Sequence, residues 1–224
     1  MNMKTIINIG IVASLLFTAC EYDNFAEPTS SLKGRIVYEG EPVGVRTNGP
    51  ILQIWEDGHE LRTPLNVHIA HDGTFSATLF DGQYKLIRMG NSPWLQNVTD
   101  TIVVDVRGTT QIDVPVTPYF TLSNTSIQHV SGNINADFTL NQIVETSRLE
   151  NVNLYLGRHF LVDDIYHDLK IEVNADDITV DGTNSISAAI PDGLKNQGHI
   201  FVRLGVRSSS SGELYYSQIQ KIDL

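Results

Sequence analysis

The only cysteine of the 224-residue chain is Cys20. A single thiol excludes a disulfide framework and a thiolate zinc cluster. Histidine is the next metal ligand to consider. His59, His68 and His71 fall within thirteen positions, and His159, Asp163 and His167 are spaced by four. On a strand His68 and His71 point to opposite faces, because side chains alternate with a period of two. The adjacent acids Asp163 and Asp164 read as a turn, which removes the helix that would align the second group. Asp176, Asp177 and Asp181 are acidic loop residues of the kind that hold calcium, but they lack the EF-hand spacing. No metal is therefore expected.

Catalytic signals are equally sparse. Glycoside hydrolysis needs two carboxyl groups about 5–9.5 Å apart across a cleft, whereas Glu56-Asp57 and Asp163-Asp164 read as solvated turns. The sequence contains no Gly-x-Ser-x-Gly elbow and no His-Glu-x-x-His. Gly34, Gly40 and Gly44 do not have the spacing of a phosphate-binding loop. The expectation is a protein without catalytic residues or cofactors, and not an enzyme.

Aromatic residues offer a different chemistry. Sugars stack their C–H faces on Trp or Tyr while amides take their hydroxyls. Trp94 lies in the loop-like stretch Gly90-Asn91-Ser92-Pro93-Trp94-Leu95-Gln96-Asn97. Trp94, Asn91, Gln96 and Asn97 are the candidate glycan-binding residues. An exposed Trp94 points to glycan, and a packed one to a scaffold. Trp55 falls in an alternating strand and is expected to pack. The pair Tyr215-Tyr216 places one ring on each sheet face, with the outward ring used in cross-strand packing.

These side chains need elements to hold them. Hydrophobic residues make up 41% of the chain and charged residues 18%, which is enough to fill a core and excludes wholesale disorder. The formal net charge of −11 argues against nucleic acid, whose phosphates call for clustered Lys and Arg. From Ser30 onward short alternating runs are separated by turn signals, the pattern of strands. Five Asp-Gly pairs, at 57–58, 72–73, 81–82, 181–182 and 192–193, punctuate them. Asp-Gly suits two-residue hairpins in which successive residues take φ > 0. The segment from Phe160 to Ile171 is the strongest competitor for a helix, and it is short and acid-rich. The fold class is all-β: two β-sandwiches in series. The domain boundaries are 1–19 signal peptide, 20–29 lipidated tether, 30–118 first sandwich and 119–224 second sandwich. Pro118 limits continuation of the strand at the joint. About seven short strands in the second module suggest an immunoglobulin/fibronectin-like sandwich.

Four resemblances add to this reading. Lys4 followed by the apolar run from Ile6 to Phe17 has the length of a secretory h-region, too short to span a bilayer. The ending Phe17-Thr18-Ala19-Cys20 resembles a bacterial lipobox, with Phe17 in place of the usual Leu. It implies lipid attachment at Cys20 and an anchor in a membrane. Glu21-Tyr22-Asp23 behind the cysteine resembles the export signal of Bacteroidetes lipoproteins facing the cell exterior from the outer membrane. Gly34-Arg35-Ile36-Val37, Pro42-Val43, Asp72-Gly73-Thr74-Phe75 and the Gly82-Gln83-Tyr84 hairpin partner resemble a carboxypeptidase regulatory-like, transthyretin-like β-sandwich over residues 30–117. The whole layout, including the Thr117-Pro118-Tyr119-Phe120 joint, is similar to a Bacteroidetes surface lipoprotein family of unknown function found beside starch-utilisation-type glycan importers. It implies a non-catalytic glycan-binding or accessory component of polysaccharide uptake, with glycan and importer proteins as partners. The alternative is a purely structural or protein–protein scaffold.

Overall fold

The computed structural model describes residues 26–57, 63–96 and 101–224. Cys20, His59 and Asn97 lie outside the described residues, as does the export-signal segment. Almost all regular structure is β. The first domain comprises β1 (Ser30–Tyr38), β2 (Glu41–Pro42), β3 (Ile51–Glu56), β4 (Leu65–His68), β5 (Thr74–Leu79), β6 (Gly82–Arg88), β7 (Ile102–Val106) and β8 (Thr109–Pro115). The second comprises β9 (Phe120–Val130), β10 (Asn133–Gln142), β11 (Leu149–Gly157), β12 (Leu169–Asn174), β13 (Gly182–Ala189), β14 (His199–Ser208), β15 (Tyr215–Tyr216) and β16 (Gln220–Asp223). Among the described residues a single 3-10 turn, Ala175–Asp177, interrupts the strands.

In the first domain β1 is central to one sheet. It pairs antiparallel with β5 and β2 and parallel with β8. The other sheet runs β4-β3-β6-β7. Alternation sends Leu32, Ile36, Phe75 and Val114 from the first sheet, and Leu52, Ile54, Leu86 and Val104 from the second, into one core. In the second domain β13-β10-β9 faces β12-β11-β14, with β15 and β16 along the far edge of β14. Ile134, Phe138 and Ile186 meet Leu154, Val202 and Leu204 between the sheets. β14 is buried along most of its length on both faces. Its outer face is covered by a third cluster, Tyr155, Val162, Leu214 and Tyr216.

Among the described residues, the Asp-Gly pairs at 72–73, 81–82, 181–182 and 192–193 are not two-residue hairpins with paired positive φ. The hairpin turns with two successive positive φ values are Glu39-Gly40 (52° and 85°) and Ser131-Gly132 (51° and 81°), the type I′ geometry. Asp81-Gly82 joins β5 to β6, which belong to different sheets, so Gly82-Gln83-Tyr84 is not a hairpin partner of β5. Asp72 instead caps a turn, its Oδ1 accepting the Thr74 N–H at 3.0 Å and hydroxyl at 2.7 Å. The segment with helical potential after Phe160 is an irregular loop that leads into β12.

Candidate functional site

The irregular loop over residues 158–168 is the most exposed apolar feature of the second domain. It leaves β11 at Gly157 and is closed at its base by a fork. The Arg158 N–H donates to Asp168 Oδ2 at 2.9 Å, while its guanidinium donates to Oδ1 at 2.6 and 2.9 Å. These bonds hold the Asp168 carboxyl below the usual carboxylate range, against the opposing effect of burial. Asp163, buried within the loop, accepts the N–H groups of Ile165 at 2.8 Å and Tyr166 at 2.9 Å, an Asx turn. His167 Nδ1 faces the Asp163 carbonyl at 3.0 Å. That oxygen can only accept, so Nδ1 is the donor.

Beneath the loop Asp164 is tied by three donors: Tyr155 Oη at 2.9 Å, Lys170 Nζ at 3.0 Å and Arg207 Nη2 at 3.0 Å. With its inner side fixed, the loop turns its apolar residues outward. Phe160 is 50% exposed, Ile165 58% and Tyr166 65%. A cleft of about 390 Å³ opens between Arg158, His159, Leu161, Ile165, Tyr166, His167 and Asp168. The exposed Tyr166 ring beside charge-paired and imidazole groups suits a polar ring with hydroxyls, the combination found in concave ligand sites.

The residues singled out in the sequence lie elsewhere. Trp94 is 2% exposed and belongs to the first domain's core. It bridges to Pro118 at the domain joint. Its ring has no free face for a sugar, so of the two outcomes open to it Trp94 takes the packed one, which points to a scaffold. The loop folds back because Leu95 N–H donates to the Thr117 carbonyl at 2.8 Å and Tyr119 N–H to that of Pro93 at 3.1 Å. Asn91 is engaged too: its Oδ1 accepts the Gly212 N–H of the second domain at 2.8 Å. Gln96 is exposed, with its side-chain amide against Gly90. The structure thus gives Trp94 and Asn91 to the domain joint, apart from the 158–168 cleft.

Neither ring of Tyr215-Tyr216 is a simple outward residue. Tyr216 is buried, accepts the Asp164 N–H at 3.2 Å and lies under Arg203, whose guanidinium carbon is 4.4 Å from the ring centroid. Tyr215 is half-buried and packs against the cores of both domains. The loop's apolar residues were visible in Phe160-Leu161-Val162-Asp163-Asp164-Ile165-Tyr166. Their lack of strand period and the central acids are the signal of an exposed apolar loop.

These two domains in this order define a class, and the comparisons agree. The chain belongs to the family described as protein of unknown function (DUF3823). The family's N-terminal domain matches residues 30–117 and its C-terminal domain residues 120–221. A DUF3823 family protein from Bacteroides ovatus is 40% identical, with a TM-score of 0.83 over 88% of this chain and 100% of its own. One from Parabacteroides merdae is 31% identical, with a TM-score of 0.82 and the same coverage. A protein from Bacteroides uniformis described as a candidate carbohydrate-binding protein shares the fold at 19% identity. Its TM-score is 0.71, over 88% of this chain and 100% of its own. No curated protein matches the chain.

Proposed function

We propose that this protein is a cell-surface lipoprotein, anchored in the outer membrane through Cys20, that binds neutral glycan and performs no catalysis. It serves as an accessory component of polysaccharide uptake beside importer proteins. The observation that carries the binding role is the 158–168 loop, with Ile165 and Tyr166 exposed around a cleft that also holds His159, His167 and the Arg158–Asp168 pair. Because Asp168 already neutralises Arg158, an uncharged sugar suits the cleft better than a charged one. The fold shared with the Bacteroides uniformis protein described as a candidate carbohydrate binder is consistent with this reading. The anchor rests on the lipobox-like Phe17-Thr18-Ala19-Cys20.

The test is calorimetric titration of residues 21–224 with neutral polysaccharides. Saturable binding that Tyr166→Ala weakens by about tenfold supports the reading, since stacking contributes roughly 0.5–1.5 kcal/mol beyond its buried area. Trp94 supports the second reading, a scaffold, because its ring packs inside its own domain. Absence of neutral-glycan binding together with co-purification of importer proteins would favour that scaffold.

A further inference from the structure

The first domain carries a second cleft, of about 840 Å³, more than twice the volume of the loop cleft. It lies over the outer face of β5-β1-β8. Leu32 and Ile36 of β1 point into the core, so Lys33 and Arg35 point out. The strand register places Ser76 and Gln111 on either side of Lys33, and Thr74 and Asp113 on either side of Arg35. Two parallel rows of three polar side chains result. Strands about 4.8 Å apart make each row roughly 10 Å wide, and two residues of rise separate the rows by about 7 Å. That is a patch for an extended chain of sugar rings. His68, from the neighbouring sheet, closes one side.

The two cations of this patch differ. Arg35 is held by Asp113 in a two-point pair, at 2.8 and 3.1 Å, and Glu41 adds a further negative field at its guanidinium. Lys33 has no ion pair among the described residues. Most other described cations are paired with a carboxylate: Arg46, Lys85, Arg107, Arg158, Lys170, Lys195, Arg207 and Lys221. In a chain with 26 acidic and 15 basic residues, a lysine left open among hydroxyl and amide groups is placed to receive an anion. The overall negative charge does not forbid this, because at physiological salt its field is screened beyond about 8 Å.

We propose that the β5-β1-β8 face is an anionic-polysaccharide site. Lys33 takes the acidic group of a sugar ring, and Ser76, Gln111 and Thr74 take hydroxyls along the chain. An ammonium presents three donors, and its hydrogen bonds to a carboxylate or sulfate are stronger than neutral ones. The site is separate from the 158–168 cleft and does not depend on it.

The experiment titrates residues 21–224 with polygalacturonate, dextran sulfate and neutral dextran at low and physiological salt. Saturable, salt-sensitive binding of at least one anionic polymer is expected, with neutral dextran inactive at this face. Lys33→Gln reduces the affinity about tenfold, the size of a lost charge-assisted bond. Tyr166→Ala leaves it unchanged. Preference between the two anionic polymers assigns the group to carboxylate or sulfate ester. Arg148→Gln removes a second cation without an ion pair, outside the cleft. An equal loss in Arg148→Gln and Lys33→Gln, reporting attraction to charge anywhere on the surface, would overturn the proposal. Failure of both anionic polymers to bind would do the same. Loss of neutral-glycan binding in Tyr166→Ala alone bears only on the loop cleft.

Discussion

His71 and Arg203 meet where the two domains join, and their chemistry is unusual for a surface of this charge. Arg203 is 1% exposed. Its guanidinium donates to the Ser217 carbonyl at 2.8 Å and, across the joint, to the His71 carbonyl at 2.7 Å. Burial lowers its pKa to about 10, against the raising influence of Tyr216, Asp163 and Asp72. The His71 ring packs edge-on against Phe160 at 4.9 Å, and its Nδ1 is buried without a hydrogen-bond partner. Burial pushes the His71 pKa down, the Asp72 charge raises it and the Arg203 charge lowers it. The unfolded imidazole, near pH 6.5, therefore binds its proton more readily than the folded one. Stability is full above that value and declines as the pH falls below it. Urea unfolding at pH 7.5 and 5.5 should show a lower midpoint at 5.5. His71→Gln, which keeps the main-chain acceptor for Arg203, should reduce that difference; an unchanged difference would remove His71 as its source. Trp94 shows why such residues were hard to read in advance. Its amide-rich loop left exposure and packing both open, because whether a loop folds back depends on partners such as Thr117 that only the tertiary structure brings near.

At the scale of elements, two glycines have different roles and different predicted costs. Gly132 ends the β9–β10 turn at φ 81°, and a Cβ there meets nothing within 4 Å. Gly132→Ala should therefore cost only the backbone strain, about 1–2 kcal/mol. Gly34 lies mid-strand in β1 with ordinary φ, yet its Cβ would sit 2.2 Å from the Ile112 carbonyl and 2.4 Å from the Phe75 ring. Gly34→Ala should cost more, roughly 2–3 kcal/mol, because backbone and ring must both move. Chemical denaturation of the two variants checks the order, and a smaller loss at Gly34 would contradict it. The strands themselves were legible: the alternating runs at 51–55, 102–106, 134–140 and 199–206 each lie within an observed strand. The short β2 and β4 were not, since a two- or four-residue strand shows too little of a period-two pattern. The turns were partly misread because Asp-Gly reports a capacity for positive φ, not which strands it connects. The 158–168 loop was missed as a site because its apolar residues face outward, which composition cannot distinguish from a short buried helix.

The whole molecule is two sandwiches coupled by a polar and aromatic joint. β1 runs from Ser30, where Gly108 and Asp81 gather around the Ser30 hydroxyl, toward the end that meets the second domain. Nine residues at about 3.4 Å each make that path roughly 30 Å. At the far end Gly44 pairs with Tyr216, and Arg46 forks onto Glu213 at 2.6 and 3.2 Å. Asn91 holds Gly212, and Arg203 holds the His71 carbonyl. The sequence placed a boundary near Pro118 but gave no sign of this contact, because its residues are spread from position 44 to 216 and share no local motif. These contacts tie the domains together, so the clefts on the two are held at a fixed separation. Thermal unfolding of residues 21–224 should accordingly be a single calorimetric transition. Removing the two buried or half-buried guanidinium groups by Arg46→Gln with Arg203→Met should split it into two. Methionine retains apolar packing on Tyr216 while leaving the Ser217 and His71 carbonyls without their donor, so the damage falls on the joint more than on either core. Two separate transitions in the unaltered protein would mean that these contacts do not couple the domains, whatever their geometry.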